Sequence, residues 1–338
     1  MSDPRIDQAR QWLASAHGRI TDMGWLPDPD SLAPASSDAS FRRYFRIRAR
    51  HHGRASSMIL MDAPPEREDI RPFMEVARLM DAAGLHVPRV WAHDSALGFL
   101  LLSDLGEQTY AMRLAQDPSP DEITTLYRNA WRALIRLQSY HAQHLPAYDE
   151  SRMLQEMRLF DTWYLERHLG MTLGTADTDH LQHAYRLILD HCLRQPQVIV
   201  HRDYHSRNLM VTQDNPPGVL DFQDAVIGPI TYDLVSLLRD AYVDWAEDIQ
   251  IDWAVRYWED ARRAGLAVNA DFGEFWRDLE WMGLQRHLKV LGIFARLHHR
   301  DGKDRYLQDI PLVLRSALSV ARRYQGLGPL ARILERRA

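Results

Sequence analysis

Apolar positions along this chain change their spacing once, and the change divides it in two. Residues 5–17 place apolar positions at helical spacing until Gly18 ends the pattern. Residues 41–49 (FRRYFRIRA) and 56–62 (SSMILMD) predict two strands joined by the turn-prone RHHGR. A helix is expected over 69–83, closed by Gly84, and two further strands, 88–93 and 98–103, flank the turn DSAL. After Gly106 the spacing becomes helical, with apolar residues at i, i+3, i+4 and i+7 through 121–145, 151–168 and 178–194. A short β interruption covers 197–221, and helices resume from Tyr232 to about Tyr324. The pattern predicts an α+β chain. A small N-terminal lobe, 1–105, carries an antiparallel sheet and one main helix, and a large, mostly helical C-terminal lobe, 106–338, follows. A cleft between such lobes is a usual place for a ligand.

Composition removes several classes of function. The 338 residues are 46% hydrophobic and 26% charged, ordinary globular values, and a net charge of −5 gives no general attraction to nucleic acid or anionic membrane. The start, MSDPRIDQARQWL, is polar and periodic, unlike a secretory leader, and no apolar run approaches the ~18–20 residues that span a bilayer. One cysteine, Cys192, forms no internal disulfide and no thiolate metal cage, which suits the cytoplasm. No protein partner is inferred. Only Lys289 and Lys303 are lysines, so the first 288 residues contain none.

The chemistry lies in VIVHRDYHSRNLMV and the following GVLDFQD. An apolar strand, Val198 to Val200, delivers the chain to a polar loop, 201–208, holding His201, Asp203, His205, Arg207 and Asn208. Strand Leu209 to Thr212 leaves the loop, turns through QDNPPG and returns as Val219 to Asp221. Such a hairpin predicts that Asn208 and Asp221 come together. A carboxylate and an amide oxygen are hard ligands suited to Mg2+ that already carries phosphate oxygens. Asp203 stands at the mouth of the loop, where it can accept a hydroxyl proton, as phosphoryl transfer requires.

These residues resemble the aminoglycoside phosphotransferase and choline kinase superfamily, whose fold is protein-kinase-like. The family's H-x-D-x-x-x-x-N pattern stands here as His201, Asp203 and Asn208, its metal-binding segment as 221–224, opening Asp221–Phe222–Gln223, and its Pro then Tyr-Asp-Leu as Pro229 and Tyr232 to Leu234. The resemblance implies ATP and Mg2+ as cofactors, Asp203 as the catalytic carboxylate and Asn208 with Asp221 as metal ligands. His201 and Asp233 then support the loop, and His205, Arg207 and Asp224 are substrate candidates. The loop SSDASF, with Ser37 and Ser40, is similar to the family's nucleotide-positioning loop, and FLLLSDLGEQTY resembles its hinge, where Ser103 to Leu105 would hold adenine.

One position departs from the family. Kinases of this fold usually carry a lysine on the strand MILMDAPP, where Met61 stands here, and Glu75 would be its ion-pair partner. Arg43, with Arg42 second, is the expected replacement for phosphate contact. The segments DASFRRYFRI and LMDAPPE resemble the branch that phosphorylates the anomeric hydroxyl of N-acetylmuramate and N-acetylglucosamine in peptidoglycan recycling. The implied partner is therefore a small molecule, an N-acetylated amino sugar. Three alternatives stay open: an aminoglycoside, choline or other small-alcohol kinase, a metal-dependent hydrolase suggested by HRDYH, and a catalytically silent nucleotide-binding module.

Overall fold

The computed structural model describes residues 3–37, 41–142 and 144–336. The chain forms two compact units, Met1–Gln108 with Met210–Gln223, and Thr109–Leu209 with Asp224–Ala338.

The first unit contains α1 (Pro4–Thr21), β1 (Trp25–Pro27), β2 (Ala33–Ser37), β3 (Arg43–His51), β4 (Arg54–Asp62), α2 (Arg71–Ala82), β5 (Val90–Asp94) and β6 (Phe99–Ser103). The strands run in the order β1-β3-β4-β6-β5, with β2 also paired to β3, and adjacent strands are antiparallel. Side chains alternate across a strand, so one face collects every second residue. Here that face is Phe45, Ile47 and Ala49 from β3, Met58 and Leu60 from β4, and Phe99 and Leu101 from β6. Ala9, Trp12 and Leu13 of α1 cover it. Asp62 continues the row beyond Leu60 and is buried, a costly place for a carboxylate unless it is paired. Arg5 of α1 and Arg43 of β3 both meet it, each with Nε at 3.0 Å. The leading helix is therefore fastened to the sheet by charge as well as by apolar packing.

The second unit contains α3 (Tyr110–Leu114), α4 (Pro120–Ser139), α5 (Glu150–Leu159), which continues as a π-helix over Phe160–His168, α6 (Thr175–Leu193) and β7 (Gln197–Val200). Next in the chain is the short ribbon of β8 (Leu209–Met210) and β9 (Gly218–Val219), which from Met210 onward counts with the first unit. Strand β10 (Val226–Pro229) then returns antiparallel to β7. Helices α7 (Tyr232–Leu238), α8 (Glu247–Arg263), α9 (Phe272–Asp301), α10 (Ile310–Arg323) and α11 (Gly328–Glu335) complete the second unit. Helix α9 starts where the Asp271 side chain accepts from the Glu274 N–H and stops at Gly302, whose φ of 65° is left-handed. Every residue from Leu279 to Gly292 is buried, whereas a surface helix hides only one stripe, so α9 is the central helix of this unit. No helix among the described residues is long and apolar enough to cross a membrane.

Candidate active site

Strand β7 delivers the chain to the loop at His201, and the loop is fixed from its backbone outward. Both oxygens of the buried Asp233, in the first turn of α7, accept loop N–H groups, from His201 at 2.6 Å and Arg202 at 2.9 Å. Burial pushes the Asp233 carboxyl up to about 7, against the pull of those two donors. Arg202 between them has φ 79°, a left-handed value that a bulky L-residue adopts only when its surroundings impose it. The Asp203 N–H donates to His201 Nδ1 at 3.3 Å. The Asp203 carbonyl accepts from the His205 N–H at 3.1 Å and from Asn208 Nδ2 at 2.9 Å. The Ser206 N–H donates to Asp240 at 2.9 Å. His201, Asp203, Asn208 and Asp233 thus stand together, and each loop contact to Asp203 named here is to its main chain.

Asp203 keeps its charge in this setting. Burial pushes its carboxyl up, but the positive fields of Lys289 and Arg286, with the neighbouring His205 and His201 rings adding to them, overcome that and hold it below the ordinary carboxylate value. His205 is shifted down by burial, and its ring meets Tyr242 edge-on at 5.4 Å between centroids. Arg207 lies over the same Tyr242 ring at 3.4 Å, with Asp309 at 3.8 Å from its Nη2. Asp224 is exposed.

In the first unit, Asp221 has φ 63° and accepts from Gln223 Nε2 at 2.8 Å, and Phe222 is buried against Phe73 of α2, with centroids 4.9 Å apart. An amide whose donor end is fixed on the loop backbone, as in Asn208, and a carboxylate on a strained backbone, as in Asp221, are oxygen donors that fit Mg2+ chemically. Among the described residues no group of three or more His, Cys, Asp or Glu side chains is placed to hold a metal ion.

The nucleotide-lobe expectations fare differently. Met61 is buried, in register with Tyr44 and Leu100, on the sheet face opposite the one covered by α1. Arg43 pairs in register with Asp62 and turns to the α1 face, where its guanidinium meets Asp62 and Asp3. It therefore stands on the face opposite Met61, held there by Asp62 and Asp3. Arg46, two residues on from Tyr44, does share Met61's face. Its guanidinium reaches Asp104 at 2.6 Å, Glu107 at 2.7 Å and the Gly106 carbonyl at 2.8 Å, pinning the segment that follows β6. Arg42 is half-buried just before β3, and Glu75 is exposed on α2. Ser103 donates its N–H to the Arg89 carbonyl at 2.9 Å within the sheet, and Leu105 packs against Gly218. Ser37 ends β2, and Ser40 lies outside the described residues. Arg43→Ala is expected to lower the melting temperature by a few degrees, through loss of partners for buried Asp62, while the nucleotide KM stays within about twofold. A tenfold rise in that KM would return Arg43 to the phosphates.

Sequence reasoning missed the half-buried Glu156 and the buried Lys289, Arg286 and Tyr148. One signal was present, a single lysine inside the apolar run HLKVLGIF of α9.

The model of the phosphotransferase enzyme family (APH) matches residues 31–272. A Pseudomonas aeruginosa protein named N-acetylmuramate/N-acetylglucosamine kinase is 47% identical over 336 residues, covering 98% of this chain and 96% of that one. A protein of the same name from Neisseria meningitidis is 46% identical over 316 residues, covering 92% and 93%. The ADP-bound aminoglycoside phosphotransferase APH(2″)-Ib shares the fold, with a TM-score of 0.56 at 15% identity over 86% of this chain and 93% of that one. A stapled HRD loop with an ionised aspartate and a family match over most of the length lead to one assignment: the chain belongs to the phosphotransferase enzyme family, as a small-molecule kinase of the two-lobed, protein-kinase-like fold.

Proposed function

We propose that this protein transfers the γ-phosphoryl group of ATP, with Mg2+, to the anomeric hydroxyl of N-acetylmuramate and N-acetylglucosamine. The observation that carries the phosphotransfer chemistry is Asp203, half-buried and held in its charged form by neighbouring cations, while its backbone is fixed by His201 and Asn208. The choice of sugar is supported by likeness over nearly the full chain to kinases with that name. As the hydroxyl oxygen forms its bond to the γ-phosphorus, the bond to the β–γ bridging oxygen breaks, and Asp203 accepts the hydroxyl proton. The products are ADP and a sugar 1-phosphate. An anomeric hydroxyl is more acidic than an ordinary alcohol, so Asp203 has more orienting than deprotonating to do. Asn208 and Asp221 are the side chains proposed to hold Mg2+, which would neutralise phosphate charge. A reaction that consumes ATP suits the cytoplasm.

The test is ADP release from Mg-ATP with N-acetylmuramate, N-acetylglucosamine, kanamycin or choline as acceptor. Phosphorus NMR of the product then locates the phosphate. Turnover is expected with the two sugars, at least about 100-fold above the other acceptors, and phosphate on the anomeric oxygen. Kanamycin or choline turning over as fast as either sugar would overturn the substrate assignment.

A further inference from the structure

The second unit contains a charged cluster around Lys289 whose link to the catalytic loop the chemistry above leaves aside. Lys289, the first of only two lysines in the chain, lies on α9 among buried neighbours and is 7% exposed. A buried ammonium is costly unless it is paired. Its Nζ is 3.1 Å from Glu156 Oε2 and donates to Tyr232 Oη at 3.0 Å. Glu156, on α5, also accepts from the guanidinium of Arg202 and from Tyr148 Oη, and Gln285 of α9 donates to Tyr148 Oη at 3.0 Å.

Such a cluster could be a simple fastening between α5 and α9. Its far end argues for more. Arg202 is the residue between His201 and Asp203, and it holds the left-handed backbone from which Asp203 emerges. Asp233 fixes that turn through main-chain N–H groups, and Glu156 fixes it through the Arg202 side chain. Charge points the same way. Glu156 offsets one of the two cations it binds, so Lys289, Arg202 and Glu156 together carry one positive charge, opposite in sign to Asp203. Among the attractive fields acting on Asp203, that of Lys289 is the largest.

We propose that Lys289 is a positioning residue for phosphoryl transfer: through Glu156 it sets the Arg202 turn that presents Asp203, and its charge balances that carboxylate. The inference rests on the reading of Asp203 as the proton acceptor, and the test separates the two. Lys289→Met is measured in the wild-type and in the Asp203→Asn background, with thermal melting as a check on folding. In the wild-type background, kcat is expected to fall about 30-fold, with both KM values within about twofold, and Lys289→Arg should recover part of the loss. In the Asp203→Asn background the same change should alter the residual rate less than about twofold, because a residue acting through Asp203 has nothing left to position. A loss of the same size in both backgrounds, or a rise in KM with kcat intact, would overturn the inference and leave Asp203 in place. Full activity of Asp203→Asn would remove both. Should Lys289→Met fail to fold, Glu156→Gln keeps the shape of the cluster, weakens its link to Arg202 and faces the same two-background test, with the same outcomes deciding.

Discussion

Asp203→Asn is expected to lower kcat about 1,000-fold while ATP binds within twofold of the wild-type affinity. The size follows from what the substitution removes. An amide has the shape of the carboxylate but cannot take the hydroxyl proton, and its neutral oxygen orients that hydroxyl more weakly. The specificity of the loss follows from what is kept. His201 receives the main-chain N–H of residue 203, and His205 and Asn208 donate to its main-chain carbonyl, so none of these contacts needs the carboxylate. Asp233 holds residues 201 and 202 by their own N–H groups. The turn should therefore survive, and the melting temperature should not fall by more than a few degrees, since an amide is cheaper to bury than a charge. Single-turnover rates with excess enzyme and calorimetric ATP binding measure the two halves. Retention of a tenth of the wild-type rate would take Asp203 out of the chemistry.

The loop was legible in the sequence because its pattern is a fixed order of residue types over a short span. His201, Asp203 and Asn208 can be read in eight positions, and the following hairpin is announced by its turn residues. Strands β3 and β4 and helix α2 were legible for a similar local reason, a long pattern ended by glycine or a turn. Strands β1 and β2 were not, because they are short edge pieces containing Pro27 and Pro34, and proline argues against a strand unless its neighbours are known. The helix expected over 121–145 stops at Ser139, where Tyr140 turns extended. The first compact unit runs through Gln108, and Met210–Gln223 returns to it. That return depends on contacts distant in sequence: Val219 N–H to His86 O at 2.7 Å and Val211 N–H to Gln108 O at 2.8 Å. Lys289 and Glu156 were hidden for the same reason, being 133 positions apart and joined only by helix packing.

That packing has its own test. Gly292 of α9 lies where α5 passes into the π-helix, and a Cβ built on it would come within 2.3 Å of the Leu159 carbonyl carbon and 2.6 Å of its oxygen. The obstacle is backbone, which cannot swing aside as a side-chain tip can. Gly292→Ala is expected to destabilise the fold by about 2–3 kcal/mol, an overpacking cost larger than the helix propensity alanine brings. Helix geometry adds a catalytic consequence. Lys289 is three residues before Gly292 on α9, and Glu156 is three before Leu159 on α5, so the close approach at glycine lies one turn from the ion pair. Forcing the helices apart there should stretch the 3.1 Å contact of Lys289 with Glu156 and loosen the Arg202 turn. A fall in melting temperature of about 5 °C should therefore come with a kcat several-fold below wild type, measured well below the melting transition. Gly283→Ala on the same helix is the control. A Cβ there meets Val235 at 3.6 Å, an ordinary contact, so stability should hold or rise slightly and kcat should not change. Equal behaviour of the two alanine variants would mean that α5 and α9 do not depend on glycine for their approach, and the route from Lys289 to Asp203 would lose its structural footing.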